Sequence, residues 1–248
     1  MEDGDGKLAR LKVLFGPSYE EFEAAGRGCN TILIESEGKR IIVDPGIWSF
    51  GLRGYLHYFL RKEALKPEDI DIVINTHLHF DHSDNNIFFR GKKLYVHEKE
   101  LNGTLFLQDL SPDGIYNPEK YTIELKCPEY LEFLVGALEL RKIVGDTAVT
   151  EDVRIIETPG HTPGSVSVLV ETAEGLAAVI GDVAIFARDF IEQRLPMFVR
   201  DKDALLRSQK AIAQLDPSVV VPGHDMPIWG SKYRPPVRNF DLRKWFPA

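Results

Sequence analysis

The chain has 248 residues, a formal net charge of -8 and a pI near 5.4, with 44% hydrophobic and 27% charged residues. That is enough apolar material for one large domain with a substantial core, and the acidic balance gives a nucleic-acid role no help from bulk electrostatics. No apolar run approaches the length that spans a bilayer, and the acidic, polar opening MEDGDGKLAR is the reverse of a secretory leader. A cytoplasmic protein without membrane association is therefore expected. Cys29 and Cys127 stand far apart, outside any CxxC pattern, and read as two buried thiols in a reducing compartment.

In chain order, the β-branched runs LKVLF (11–15), NTILIE (30–35) and KRIIVD (39–44) come first and predict strands. Residues 52–63 follow as an amphipathic helix, with Leu52, Tyr55, Leu56, Phe59 and Leu60 on one stripe. DIVINTH (71–77) and KLYVH (93–97) return to strand. Residues 101–150 differ: they are aromatic and mixed in charge, and show no clear strand pattern until about residue 138. Phe106, Tyr116, Tyr121, Tyr130 and Phe133 lie there, broken by Pro112, Pro118 and Pro128. This stretch reads as an insertion near the active site, or equally as a helical decoration or subunit contact.

The strands VRIIET (153–158), SVSVLVE (165–171), LAAVIGD (176–182) and SVVVPGH (218–224) form a second set. Before the last of them, residues 202–215 predict a helix, with Asp201 as N-cap, Pro217 as stop, and a stripe of Leu205, Leu206, Ala211, Ile212 and Leu215. Tyr233 to Ala248 reads as irregular surface chain. Two sets of strands with interspersed helices suit two mixed sheets packed face to face with helices outside, within a single α/β domain over residues 1–248.

Chemistry concentrates in Thr76-His77-Leu78-His79-Phe80-Asp81-His82, directly after the apolar run DIVIN. His77 and His79, two residues apart on extended chain, point to the same side, and Asp81 and His82 follow where a helix should begin. These donors suit zinc and can also hold iron or manganese. One metal does not use all four and keep an open position, so two metals need further ligands. The sequence supplies His161, Asp182 and His224, each at the end of an apolar strand and each preceded by glycine (Gly160, Gly181 and Gly223), which lets the chain turn sharply and keeps space clear.

The combination HxHxDH, TPGH, GD and PGH resembles the metallo-β-lactamase superfamily over nearly the whole chain, from Asp44 to His224. The resemblance implies a four-layer αββα sandwich with the metal site at one edge of its two sheets. It implies His77, His79 and His161 as ligands of one metal, Asp81, His82 and His224 as ligands of a second, and Asp182 as the carboxylate bridging both. It also implies that Asp44, in IIVDPG, supports the metal loops from behind. True β-lactamases of the superfamily lack the bridging Asp, so Asp182 argues against antibiotic hydrolysis. The intervals from His161 to Asp182 (21 positions) and on to His224 (42 positions) look closest to lactonases and small single-domain members.

The expected activity is that of a binuclear hydrolase, with two divalent ions (zinc first, iron or manganese otherwise) holding a bridging hydroxide. That hydroxide would attack a small ester, lactone or thioester, with Asp81 as proton acceptor and donor. The alternatives are a phosphodiesterase or ribonuclease, for which Arg188, Arg194, Arg200 and Lys202 offer a local basic stretch, and a mononuclear iron persulfide dioxygenase. The expected partner is a small-molecule substrate; nucleic acid is disfavoured by the charge, and a homodimer is compatible with the sequence. His57 reads as a surface or interface residue of its helix, and His97, at a strand end, as a candidate substrate contact.

Overall fold

The computed structural model describes residues 8–16, 28–47, 54–102, 135–230, Glu132 and Phe246, and the backbone of 104–108 and 122–126. Strands β1 (Arg10–Phe15), β2 (Thr31–Ser36), β3 (Lys39–Val43), β4 (Ile72–Ile74), β5 (Lys93–His97) and β8 (Glu139–Ile143) form one six-stranded sheet in the order β1-β2-β3-β4-β5-β8. Its first two pairings are antiparallel, while β3, β4, β5 and β8 run parallel. The parallel strands β3 and β4 contribute Ile41, Ile42, Val43, Ile72, Val73 and Ile74, all buried, as strands covered on both faces require.

The second sheet holds β9 (Thr147–Ala148), β10 (Val153–Glu157), β11 (Val166–Thr172), β12 (Gly175–Gly181), β13 (Val219–Pro222) and β14 (Ile228–Trp229), in the order β14-β13-β12-β11-β10-β9. Alternation along it is clean. Val168, Val170, Val179, Val219 and Val221 share a core with the first sheet, whereas Leu169, Ala178, Ile180 and Val220 face a separate cluster. Phe190 of the helix α3 (Ala187–Ile191) and Leu205 and Ile212 of α4 (Lys202–Gln214) complete that outer cluster. On the first sheet, α1 (Tyr55–Lys62) packs Leu56, Phe59 and Leu60 into the shared core and contacts β1. The result is the expected sandwich of two sheets with helices outside them.

The functional loops sit where they do because of strand direction. The parallel strands β3, β4 and β5 end at one edge of the first sheet, and β10, β12 and β13 run together to one edge of the second. Loops beyond the carboxyl ends of co-directed strands are where open α/β sheets build sites. The two edges are joined directly: Val166 N–H, at the start of β11, donates to Thr76 O at 2.9 Å.

Some sequence expectations change. DIVINTH is strand only over Ile72–Ile74; Asn75 N–H still donates to Tyr95 O at 3.0 Å, and from Thr76 the chain turns away to form the site loop. In α4, Asp201 does cap the helix, its side chain accepting from Ala204 N–H at 2.9 Å. The buried face there is Ala204, Leu205, Ser208, Gln209 and Ile212, whereas Leu206 and Leu215 are exposed. The sheet under this helix is capped partly by polar contact, with Gln209 donating to Val183 O and Arg194 O, so an apolar-only count misassigns the face.

Residues 101–150 contain strands that the pattern did not reveal. These are β6 (Thr104–Gln108) and β7 (Thr122–Lys126), which pair antiparallel; β8 and β9 follow from about residue 138, where the strand pattern returns. Tyr116, Tyr121, Tyr130, Phe133 and Cys127 lie outside the described residues, as do Leu52 and most of 233–248. Within that last stretch, Phe246 is buried and exchanges backbone hydrogen bonds with Leu11.

Candidate metal centre

After β4 the chain bends through Thr76 and His77 and enters the short helix α2 (Phe80–Ser83), with His79 as its N-cap residue. Ser83 Oγ donates back to His79 O at 2.9 Å, which tightens the turn. This geometry aims four side chains inward from a short span. His161 arrives from the loop after β10, Asp182 from the end of β12, and His224 from just beyond β13.

These residues form two groups. In the first, His79 Nδ1 lies 3.0 Å from both His77 Nε2 and His161 Nε2, and His161 Nε2 is 3.2 Å from Asp182 Oδ2. In the second, His82 Nε2 is 3.2 Å from His224 Nε2, and His224 Nε2 is 3.4 Å from Asp81 Oδ2. Asp182 Oδ1 lies 3.4 Å from His82 Nε2 and 3.3 Å from His224 Nε2. Asp182 thus turns one oxygen to each group, and all seven residues singled out in the sequence come together.

The proton positions follow from the outer contacts. His161 Nδ1 faces Phe198 O at 2.6 Å, His224 Nδ1 faces Gly28 O at 2.9 Å, and His82 Nδ1 faces Asp44 Oδ2 at 2.9 Å. Carbonyls and carboxylates only accept, so each of these Nδ1 atoms carries the proton and each Nε2 presents a lone pair inward. His77 follows the same rule through Thr76. The Thr76 hydroxyl donates to Asp44 Oδ2 at 2.7 Å, which leaves its oxygen to accept from His77 Nδ1 at 3.1 Å. Asp44 Oδ1 takes the Thr76 N–H at 2.8 Å. Asp44 therefore supports both groups, as the resemblance implied, and it does so from a left-handed backbone (φ 49).

Burial and charge divide the groups. His77, His82, His161 and Asp182 are buried, whereas His79, Asp81 and His224 are partly open to solvent. Burial, with neighbouring imidazoles, holds His77 well below the ordinary histidine value; burial lowers His79, and pushes His161 down to about 4. Those three are neutral ligand-form imidazoles at neutral pH. Burial also opposes charge on Asp182, but His224, His82 and His161 outweigh it and keep the carboxylate ionised. At His82 and His224 burial is likewise outweighed, by Cys29, Asp182, Asp81 and Asp44 for His82 and by Asp182 and Asp81 for His224, and both are raised. The carboxylates around the second group thus favour positive charge there, whether an added proton on the inward Nε2 or a metal ion in its place.

The donor set fits two divalent ions. Inward lone pairs 3.0 to 3.4 Å apart repel one another unless a cation lies among them. A tetrahedral zinc with bonds of about 2.0–2.1 Å would set its donors about 3.3 Å apart. Asp182 Oδ1 is moreover buried without a hydrogen-bond partner. Close approach explains the glycines: a Cβ at Gly223 would stand 2.0 Å from Asp182 Oδ1. Gly160 is equally confined, with a Cβ there meeting the Leu205 backbone at 2.4 Å.

The remaining candidates fall outside the two groups. Cys29 is buried beside Asp44 and His82, and burial pushes its thiol up to about 11. His97 is buried, with Nε2 donating to Glu157 Oε1 at 2.7 Å and Nδ1 accepting from Lys99 N–H at 3.1 Å, so both ring nitrogens have structural partners. His57 is half-buried, edge-on to Phe88. In the basic stretch, Arg194 pairs with Glu192 at 2.8 Å and Asp189 at 3.7 Å, and Arg188 lies 4.0 Å from Asp189. Sequence reasoning missed Thr76, Asn30, and the carbonyls of Gly28 and Phe198. Asn30 Nδ2 donates to Pro222 O and Asp225 O at 2.8 Å, steadying the His224 loop. Only Thr76, directly before the motif, carried a sequence signal. No described helix is long and apolar enough to cross a membrane.

A family model described as the metallo-beta-lactamase superfamily matches residues 24–224. An N-acyl homoserine lactonase of Bacillus sp is 28% identical over 170 residues, covering 67% of this chain and 60% of the relative. A "probable metallo-hydrolase" of Methanocaldococcus jannaschii is 29% identical over 168 residues, covering 68% of this chain and 63% of the relative. The chain spans about three fifths of the length of the curated relatives it matches. Among solved structures, a quorum-quenching N-acyl homoserine lactone lactonase superposes with a TM-score of 0.65 at 22% identity, covering 89% of this chain and 92% of that one. An N-acyl homoserine lactone hydrolase with N-hexanoyl-L-homoserine at its metal centre gives 0.61 at 24% identity, covering 79% and 80%.

Proposed function

Because the chain belongs to the metallo-beta-lactamase superfamily, we propose that it is a hydrolase dependent on two divalent metal ions, zinc first, acting on a small ester, lactone or thioester. The observation that carries the reading is Asp182, whose two carboxylate oxygens each face a different cluster of imidazoles. His77, His79 and His161 would hold one ion, Asp81, His82 and His224 the other, and Asp182 both. When bound, such ions supply Lewis acidity and make water a nucleophile at neutral pH.

The chain's own residues do the rest. Asp44, Thr76 and the carbonyls of Gly28 and Phe198 fix the imidazole tautomers before substrate arrives. Asp81 is 18% exposed, against 6% for Asp182, and sits at the solvent side of the second group. It is the carboxylate placed to take a proton from an attacking water and pass it to a leaving alkoxide or thiolate. Asp189 and Glu192 lie beside Arg188 and Arg194 and offset part of the charge the stretch could offer a phosphodiester backbone. The lactonase names among the relatives favour an acyl substrate.

The test combines metal quantification with a panel of lactones, thioesters and bis-p-nitrophenyl phosphate. Two ions per chain with hydrolysis of an acyl substrate is the expected result. Turnover of the phosphodiester alone would replace the reading with a phosphodiesterase, and a single iron with persulfide oxidation would replace it with a dioxygenase.

A further inference from the structure

His97, a candidate substrate contact in the sequence, anchors with its ring the turn that follows it. With Glu157 on Nε2 and the Lys99 N–H on Nδ1, it fixes the start of the 3₁₀ turn Glu98–Asn102. Glu100 lies in that turn. Its Oε2 accepts the N–H of Leu78 at 3.0 Å, and its Oε1 accepts the N–H of Gly164 at 2.9 Å. Leu78 stands between His77 and His79, and Gly164 lies in the loop that carries His161. One carboxylate therefore spans the two loops that bring together the imidazoles of the first group.

The fit is close. A Cβ at Gly164 would stand 2.7 Å from Glu100 Oε1 and 3.0 Å from Glu100 N, so this turn and this loop meet only because residue 164 is glycine. At their base the same two loops are tied by Val166 N–H to Thr76 O, and Glu100 ties them again further along. The second group hangs from other anchors: Asp44 on His82 and Gly28 O on His224.

We propose that Glu100 is a positioning residue for the first group, a two-oxygen clamp that sets the separation of the His77–His79 loop from the His161 loop and thereby the affinity and coordination of the ion held there. The proposal rests on the reading of this group as a metal site. Two N–H donors require two acceptors, so a carboxylate serves where an amide cannot: Gln would accept one bond and aim its own N–H₂ at the other donor.

The experiment measures zinc affinity by chelator competition and the visible spectrum of the cobalt-substituted protein during stepwise loading, for the wild type, Glu100→Gln, Gly164→Ala and the exposed control Glu98→Gln. Glu100→Gln should weaken the first site about tenfold or more and leave the second within about twofold, as loss of an outer-shell tie does. It should also shift the cobalt bands that belong to the first site. Gly164→Ala, which pushes the clamp away, should reproduce both effects, and Glu98→Gln neither. Unchanged affinity and spectra in both variants would overturn the proposal, as would an equal loss at both sites accompanied by a lower melting temperature of the metal-free protein. A wild type that takes up no metal would instead sink the reading of the centre itself.

Discussion

Asp44 governs His77 at one remove: its Oδ2 accepts the Thr76 hydroxyl proton at 2.7 Å, and that hydroxyl, 3.1 Å from His77 Nδ1, is left to accept the imidazole proton. The same Oδ2 takes the His82 Nδ1 proton at 2.9 Å. One buried carboxylate thus sets the inward lone pairs of one imidazole in each group. Thr76→Val, nearly isosteric, deletes only the relay. It should cost about 1–3 kcal/mol of stability for the partners left unsatisfied and lower metal affinity of the first site by about 10- to 100-fold. Denaturant titration and chelator competition check the two effects separately; retention of wild-type affinity would remove the relay from the account.

Asp182 reaches both groups, so Asp182→Ala should not act on one site alone. Metal content by elemental analysis is expected to fall below two ions per chain, with kcat/KM down by about 100-fold or more, since bridging support and site charge go together. Full activity in protein shown to be metal-free would contradict the mechanism.

Asp81 stands at the solvent side and contributes one ligand atom to the second group. Asp81→Asn keeps the shape and removes the proton acceptor. The expected loss in kcat is about 100- to 10,000-fold, with the first site still loading metal. If kcat held while only KM rose, Asp81 would be a binding residue and not the proton carrier.

Gly223 offers a steric test that touches no ligand chemistry. The added methyl of Gly223→Ala would have to displace Asp182 Oδ1, which stands 2.0 Å from where it would be built. Weaker binding at both sites, read by the same competition assay, is the expected outcome. Wild-type loading of this variant would mean that Asp182 is not held where it is described.

The pair His97–Glu157 makes stability depend on acid. The hydrogen bond from His97, helped by the Gly145 N–H, holds Glu157 below its ordinary value of 4.5. A carboxylate depressed in the folded state contributes stability above its unfolded value and loses it as pH falls through the folded one. The melting temperature of the wild type minus that of Glu157→Gln should therefore be positive at neutral pH and shrink below about pH 4.5. The difference should be small, because Glu157 is 39% exposed and solvent screens it. A gap that stayed constant down to pH 3 would count against the hydrogen bonds to ionised Glu157 as its origin.

Much of the centre was legible because its chemistry demands rare residue types at fixed places. HxHxDH, His161, Asp182 and His224 mark strand ends that hydropathy also finds, and the two sheets follow from the runs around them. What was illegible has physical causes. The carbonyls of Gly28 and Phe198 orient two imidazoles, but any residue has a carbonyl, so no letter records the role. Glu100 looks like any acidic residue in EKEL until Leu78 and Gly164 are seen to converge on it. The face of α4 was misjudged at Leu206 and Leu215 because Ser208 and Gln209 occupy buried positions that an apolar stripe does not anticipate.

The strands of the two sheets reach this centre from opposite halves of the chain. His77, His79, Asp81 and His82 come from one sheet, and His161, Asp182 and His224 from the other. A chain whose second sheet has not yet docked cannot assemble either complete donor set, so if the centre holds metal as proposed, ion capture and sandwich closure would be one thermodynamic event. The protein would then be chemically silent while half-built, and an available divalent ion would select the assembled form over every partly folded competitor.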